Sequence, residues 1–464
     1  MEKLSRGIKK YTASMKKLAL SPLDPLARTF LAVFVITTLE GAVRKWVWPG
    51  ATIPLLVLRD ALVLWALMQG TLHGGFSAMR NVFAVLICWS VMVAAWASLQ
   101  LLNGLGTVVV AVIGIRAWLL YLWFAVLCAR LLTAHSIQRL LWFAAYLVVP
   151  MAALGTLQHF LPIAHILNRQ ADSNAVESIF TVADGIVRVT GTFSFTAGYV
   201  SFLSFVTPII LAIFAGELGA AGRPKARFSV CVAFFIGVVV SGSRGAFIGT
   251  GIMLAALVMG MLMLRRRVVR SLFLVVGAMA FAYGIANVVF ERAIGATQGR
   301  FESASQVESL MGRILSSSGE ESSWDQIVTL GQGIGMGNNA AGFFLNGSRD
   351  FLVGEAETDK MLGEAGFLGA IFTLLKWLVG VRVAWSAFGS IKKSGTLLPW
   401  LMSVSVAILL LAGNLTSQLT AHAYGWLAIA LALALNRTTR TEHAKRVQAT
   451  AATMRGNLYF PRGA

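Results

Sequence analysis

The chain runs to 464 residues, 57% hydrophobic and only 13% charged, with a mean hydropathy of +0.74 and a formal net charge of +19. A soluble domain carries about 25% charged residues. Half that share cannot cover a water-soluble globule of this length, so a cytosolic enzyme, a disordered chain and a fibre are all excluded. The apolar residues fall in blocks of ~20, enough for a helix to cross ~30 Å of hydrocarbon. The blocks are continuous rather than alternating, which excludes a β-barrel. The fold class is all-α: a polytopic integral membrane protein.

Residues 1–28 form a basic amphipathic N-terminus carrying Lys3, Arg6, Lys9, Lys10, Lys16, Lys17 and Arg28. It lacks the short apolar core and small-residue cleavage site of a removable signal. A five-helix segment is predicted over 29–158, with helices near 29–48, 52–69, 81–101, 107–131 and 137–158. An outside loop follows over 159–192. Four more helices are predicted within 193–290, near 193–216, 227–243, 245–264 and 270–290; the two flanking Arg244 also read as one bent element. A second outside loop, 291–362, is polar and Ser/Gly-rich, and it holds half of the 20 acids. Its apolar patches, such as Ile327, Val328 and Leu330, suggest short helices on the outer membrane face. Three helices fill 363–435, near 363–385, 397–416 and 418–435, which brings the expected total to twelve. A basic tail covers 436–464, and its last residues, Gly456 to Ala464, resemble the remnant of a protease-recognition site.

Orientation follows from Lys and Arg, which accumulate in cytoplasmic loops. With the N-terminus inside, every even-numbered turn is basic. These turns carry Arg80, then Arg130 and Arg139, Arg223, Lys225 and Arg227, the 265–270 cluster, and Arg382, Lys392 and Lys393. With both termini, the inside segments account for 26 of the 39 basic residues. The positive charge is therefore topology, and both termini are expected to be cytoplasmic. No nucleic-acid surface is read, because the cations are not interleaved with aromatics as such a surface requires.

Charges within or at the edge of a membrane are costly and mark candidate sites. Four groups stand out. Glu40-Gly-Ala-Val-Arg44-Lys45-Trp46 precedes Arg59-Asp60; Glu40 and Arg44 share one helix face, whereas Arg59 and Asp60 point to different sides. The group reads either as a site or as a structural ion pair joining the first two helices. Arg188, followed by Gly191, Thr192 and Phe193, is suited to a phosphate through its fork and the neighbouring hydroxyls, or it snorkels to the interface. Ser241-Gly-Ser-Arg244-Gly-Ala combines small residues, which open backbone N–H groups to an anion, with a cation. Glu355, Glu357, Asp359 and Glu364 stand at the mouth of a helix. They could accept a proton from a sugar hydroxyl or simply be solvated acids at a helix start.

Other signals are weaker. Gly331-Gln-Gly333-Ile-Gly335-Met-Gly337 follows no βαβ strand, so it reads as a flexible loop rather than a dinucleotide site. The six histidines (His73, His135, His159, His165, His422, His443) make no zinc spacing. Cys88, Cys128 and Cys231 lie in apolar blocks with no ligand or disulfide pattern. No cofactor and no metal are expected.

Three of these motifs together resemble the bacterial O-antigen ligase / O-antigen polymerase superfamily. They are Arg188-x-x-Gly191-Thr192-Phe193, Ser243-Arg244-Gly245-Ala246 and Glu364-x-Gly366-x-x-Gly369. The opening Glu40…Arg44-Lys45-Trp46…Arg59-Asp60 further resembles an exopolysaccharide-polymerase branch. One feature departs from the pattern. Many members carry a His-Asn pair about nine residues before the Glu, where this chain has Glu355-Ala356, and the large loop contains no histidine. The resemblance implies about twelve helices and an inner-membrane enzyme with its active site facing the periplasm. The reaction would be metal-independent, inverting transfer of a glycan from undecaprenyl pyrophosphate to an acceptor hydroxyl, on lipid A core or on a second lipid-linked repeat. Membrane lipid and a chain-length regulator are the other implied partners. In this reading Arg188 and Arg244 hold the pyrophosphate and Glu357 or Glu355 is the base, with Glu364, Glu40, Arg44, Arg59 and Asp60 in support. The rival reading is a transporter or flippase for polysaccharide or lipid-linked oligosaccharide, which would need a central charged cavity.

Overall fold

The computed structural model describes residues 23–169, 181–182, 186–187, 189–218, 224–264, 329–344 and 356–458. The predicted helix near 270–290, Arg188 and Glu355 lie outside the described residues.

Twelve helices longer than a single turn occur among the described residues. They are α1 (Pro25–Trp46), α2 (Thr52–Leu72), α3 (Arg80–Leu102), α4 (Val108–Leu131), α5 (Ala134–Phe160), α6 (Thr196–Phe214), α7 (Pro224–Val240), α8 (Arg244–Met263), α9 (Glu357–Ala365), α10 (Phe367–Ser394), α11 (Leu398–Ala412) and α12 (Leu419–Leu458). Nine spans among the described residues are long and apolar enough to cross a membrane. The protein is thus an α-helical, multi-pass membrane protein. Arg244 opens α8 after a Ser241–Ser243 turn, so the elements on either side of it are two helices.

Local chemistry sets the helix boundaries. The Thr107 side chain accepts from Val110 N at the start of α4, and that of Thr133 accepts from Ser136 N at the start of α5; each satisfies a backbone donor left over at a helix N-terminus. Pro25 lies in the first turn of α1, where its missing N–H costs nothing.

The turns alternate between two ends of the bundle. At one end Trp46 Nε1 donates to Ile166 O (3.0 Å), and Leu415 and Thr416 meet Glu357. At the other, Asp24 accepts from Thr133 and Ser136, Trp142 Nε1 donates to Leu218 O, and the Arg437 guanidinium donates to the carbonyls of Arg130 and Leu132. The first end is called the site end below. α12 runs through the centre, packed on α1, α4, α6 and α11. Tyr424 on α12 is fully enclosed by Phe34, Phe193, Phe202 and Phe205, with ring centroids 5.5–6.1 Å away, and its hydroxyl shares a 2.7 Å hydrogen bond with Thr38.

The glycine run at 331–337 corrects the expectation of a flexible loop. Most of it is buried, wedged between α4 and α9. A Cβ on Gly335, whose φ is +100°, would lie 2.2 Å from Val110 O; one on Gly114 of the facing helix would lie 2.4 Å from Ile334 Cγ2. Here glycine permits close approach of two backbones. The Gln100 side chain completes the lock, donating to Leu330 O and Glu364 O while accepting from Ile334 N.

Candidate membrane-embedded site

The sequence groups at Glu40 and Gly191 come together at the site end. Gly41 lets α1 press against the 192–194 backbone, since a Cβ there would fall 2.5 Å from both Ser194 N and Thr192 O. Lys45 Nζ, buried, donates to Thr190 Oγ1 (2.9 Å) and Gly191 O (2.7 Å). Arg44 Nη1 donates to Ser194 Oγ at 3.1 Å. From α5, the Gln158 amide bonds both the N–H and the carbonyl of Gly191. The Gly-Thr-Phe stretch is therefore a structural turn: Gly191 takes φ +57°, the Thr192 hydroxyl donates to Thr38 O, and Phe193 is buried beside Tyr424. What the turn presents is the cationic end of α1.

Arg59 and Asp60 diverge as their adjacency requires. Arg59 is fully buried and its Nη1 meets Glu40 Oε2 at 3.4 Å. Asp60 faces α4, where Arg116 grips it through Nε and through Nη2, the latter 2.9 Å from Oδ1. Tyr121 and His422 complete this layer: the Tyr121 ring lies against both guanidinium groups and the His422 ring. Asp60 and Arg116 each stand eight residues into their helices from the site end, or about 12 Å deep at 1.5 Å per residue.

Two grooves flank this layer. The first, about 650 Å³, runs between α6, α8, α11 and α12. Its mouth carries Thr196, Ser243, Asn414 and Gln418; its stem is lined by apolar residues such as Leu203, Met253 and Ile408. Arg244 follows Ser243 at the start of α8, and Ser194, the acceptor for Arg44, precedes the Phe195–Thr196 wall. The second, about 670 Å³, lies between α2 and α4 and is almost wholly apolar except where Asp60 and Arg116 reach its wall.

The acidic group at 355–364 is divided by the structure. Glu357, buried, takes Lys376 Nζ on Oε2 at 2.5 Å, while its Oε1 accepts from Leu415 N, Thr416 N (2.7 Å) and the Thr416 hydroxyl (3.0 Å). With three donors on Oε1 and the Lys376 ammonium on Oε2, buried Glu357 anchors the 414–417 turn at the groove mouth. Glu364 lies in an apolar cluster with Trp118, Ile334, Met361 and Phe372 nearby. Its Oε1 accepts from Gly337 N (2.7 Å) and its Oε2, at 3.4 Å, from Trp118 Nε1. Burial pushes its carboxyl up to about 7 against the pull of these donors, with a smaller push from the Glu357 charge. Lys360 on the same helix is shifted down, also by burial, with the two carboxylates opposing.

Lys45 stood inside the first sequence group without a role of its own, and Arg116, Lys376, Tyr121 and His422 were not among the candidate site residues. A lone cation in an apolar helix was the available signal for Arg116 and Lys376; His422 had none.

In comparisons with protein-family models, curated proteins and solved structures, the chain matches none.

Proposed function

We propose that the protein is a membrane glycosyltransferase that moves a glycan from a polyprenyl pyrophosphate to an acceptor hydroxyl at the site end. The observation that carries this reading is the first groove. A mouth lined by the hydroxyls and amides of Thr196, Ser243, Asn414 and Gln418, with Arg244 next to Ser243 in sequence, above an apolar stem between four helices, matches an amphiphile with an anionic head and a long hydrocarbon tail. The basic turns at the opposite end, Arg130, Arg139, Lys225 and Arg227 among them, favour that end being cytoplasmic and the site end facing the periplasm. The motif resemblance to O-antigen ligases and polymerases points the same way.

In this reading the acceptor oxygen attacks the anomeric carbon as the bond to the pyrophosphate oxygen breaks. The electron pair leaves with the polyprenyl pyrophosphate, and in-line displacement inverts the centre. Arginine forks spread over the pyrophosphate stabilise the departing charge, so the mechanism invokes no metal. The proton passes to a carboxylate. Because Glu357 is committed to the 414–417 turn, Glu355, at the register of the family's His-Asn pair, takes that role, and Arg188 joins Arg244 on the pyrophosphate. Lipid A core and a second lipid-linked repeat are the two acceptors the reading admits.

The test is release of polyprenyl pyrophosphate from lipid-linked glycan by the purified protein in detergent. Arg244→Ala should remove nearly all release and Arg244→Lys most of it, since lysine keeps charge but not the fork. Glu355→Gln should lower turnover by roughly 10²–10⁴ and leave donor binding intact. Wild-type release by Arg244→Ala refutes the site. Movement of labelled lipid-linked glycan across vesicles without product favours the flippase reading.

A further inference from the structure

The deep polar layer leaves a specific set of atoms unmatched. Glu40 engages Arg59 Nη1, and Asp60 engages Arg116 Nε and Nη2. Arg59 Nε and Nη2, Arg116 Nη1, the Tyr121 hydroxyl and His422 Nε2 are buried without a well-formed hydrogen bond among the described residues, the Tyr121 hydroxyl lying beside the Arg59 guanidinium. They belong to residues in mutual contact. The Tyr121 ring centroid is 5.7 Å from Arg59 Cζ, 5.8 Å from Arg116 Cζ and 4.7 Å from the His422 centroid. Arg59, Tyr121 and His422 are 0–1% exposed. A buried polar atom with no partner costs more than an ordinary hydrogen bond contributes, and native interiors meet such clusters with ordered water that makes two to four bonds.

The chemistry of the set selects the ligand. Two guanidinium groups face two carboxylates, so the layer is charge-balanced. An anion would bring a buried charge with no counter-charge left for it, and a cation would meet only N–H groups on the arginines. His422 Nδ1 lies 2.6 Å from Leu415 O, which fixes the proton on Nδ1 and leaves Nε2 as an acceptor. The neutral ligand must therefore donate to Nε2 and accept from guanidinium N–H groups at once, as water does. We infer that Arg59, Arg116, Tyr121 and His422 form an internal hydration site about two turns below the site end. It joins α2, α4 and α12 and lies between the two grooves: Asp60 and Arg116 reach the wall of one, and Gln418 and Tyr424 of α12 line the other. This inference is independent of the catalytic reading.

The test is radiolytic hydroxyl-radical footprinting of the full chain in lipid nanodiscs, read by mass spectrometry in the absence of substrate. Radicals generated from bound water label the side chains that hold it, however buried. Trp118 is the internal control: it is equally enclosed, its Nε1 is bonded to Glu364, and it lines neither groove. Tyr121 and His422 should be modified several-fold faster than Trp118. His422→Phe, which removes the acceptor and fills space, should bring Tyr121 down to the Trp118 rate; if that variant does not fold, Tyr121→Phe read at His422 asks the same question. Modification of Tyr121 no faster than Trp118 in the wild-type protein overturns the inference. So does protection of Tyr121 by added inorganic phosphate, which would mean that the site takes an anion.

Discussion

Glu364→Gln isolates one buried carboxyl whose energetics follow directly from its surroundings. Glu364 is 1% exposed, accepts from Gly337 N and Trp118 Nε1, and is held up to about 7 by burial, against an ordinary 4.5. Between those two values the folded chain keeps a proton that the unfolded chain has released. Stability therefore falls as pH rises through the window, by about 1.4 kcal/mol per unit, and levels off above 7. The total from this group is about 3 kcal/mol. Glutamine keeps a neutral acceptor for Gly337 N–H and removes the titration. Any fixed cost of the amide beside Trp118 is equal at all pH values and cancels in a difference of differences. Equilibrium unfolding in mixed micelles, at pH 4.5 and pH 8 for both proteins, gives that quantity. The variant should gain about 3 kcal/mol relative to wild type on going from pH 4.5 to pH 8. An unchanged difference would show that Glu364 titrates at an ordinary value, and hence that the 329–337 segment does not seal it from water.

Lys376→Met leaves the buried Glu357 carboxylate with neutral donors only, and should cost about 3–5 kcal/mol in the same unfolding assay. Adding Glu357→Gln should restore most of that loss, and failure of the double substitution to recover stability would mean that Lys376 matters for packing rather than charge. Because the turns alternate between the two ends, Asn103→Cys and Thr133→Cys, each in a background freed of Cys88, Cys128 and Cys231, should react with an impermeant thiol reagent from opposite sides of the membrane. Asn103 should react from the periplasmic side, and labelling of both from one side refutes the topology.

The spans were legible because an apolar block of ~20 residues has few other solutions: in lipid the backbone must bond within its own segment. Expected ends at 52, 107 and 397 fall within a residue of Thr52, Val108 and Leu398. The divergence of Arg59 from Asp60 was legible for the same reason, since neighbours on a helix point apart. Long-range pairing was not. Asp60 finds Arg116 56 positions away, and Glu357 finds Lys376 on the next helix, 19 away. Which helices adjoin is decided by the packing of whole faces. The glycine run was misread because composition alone does not separate a loose chain from a close backbone contact; only the facing Gly114 and the Gln100 side chain tell them apart. A stricter reading was nevertheless available. A guanidinium within an apolar span needs a counter-charge at its own depth. Arg116 stands as far from the site end of its span as Asp60 does from the same end of its own. Matching charges by depth, rather than by closeness in sequence, pairs them without a structure. The same bookkeeping separates the roles of the remaining cations. Arg59, Arg116 and Lys376 are each held by a carboxylate at their own level. Lys45 holds the Thr190–Gly191 turn, and Arg44 bonds Ser194. Charges matched at their own depth leave no net charge in the deeper layer, so in the proposed reading an anionic head group stays at the groove mouth above it.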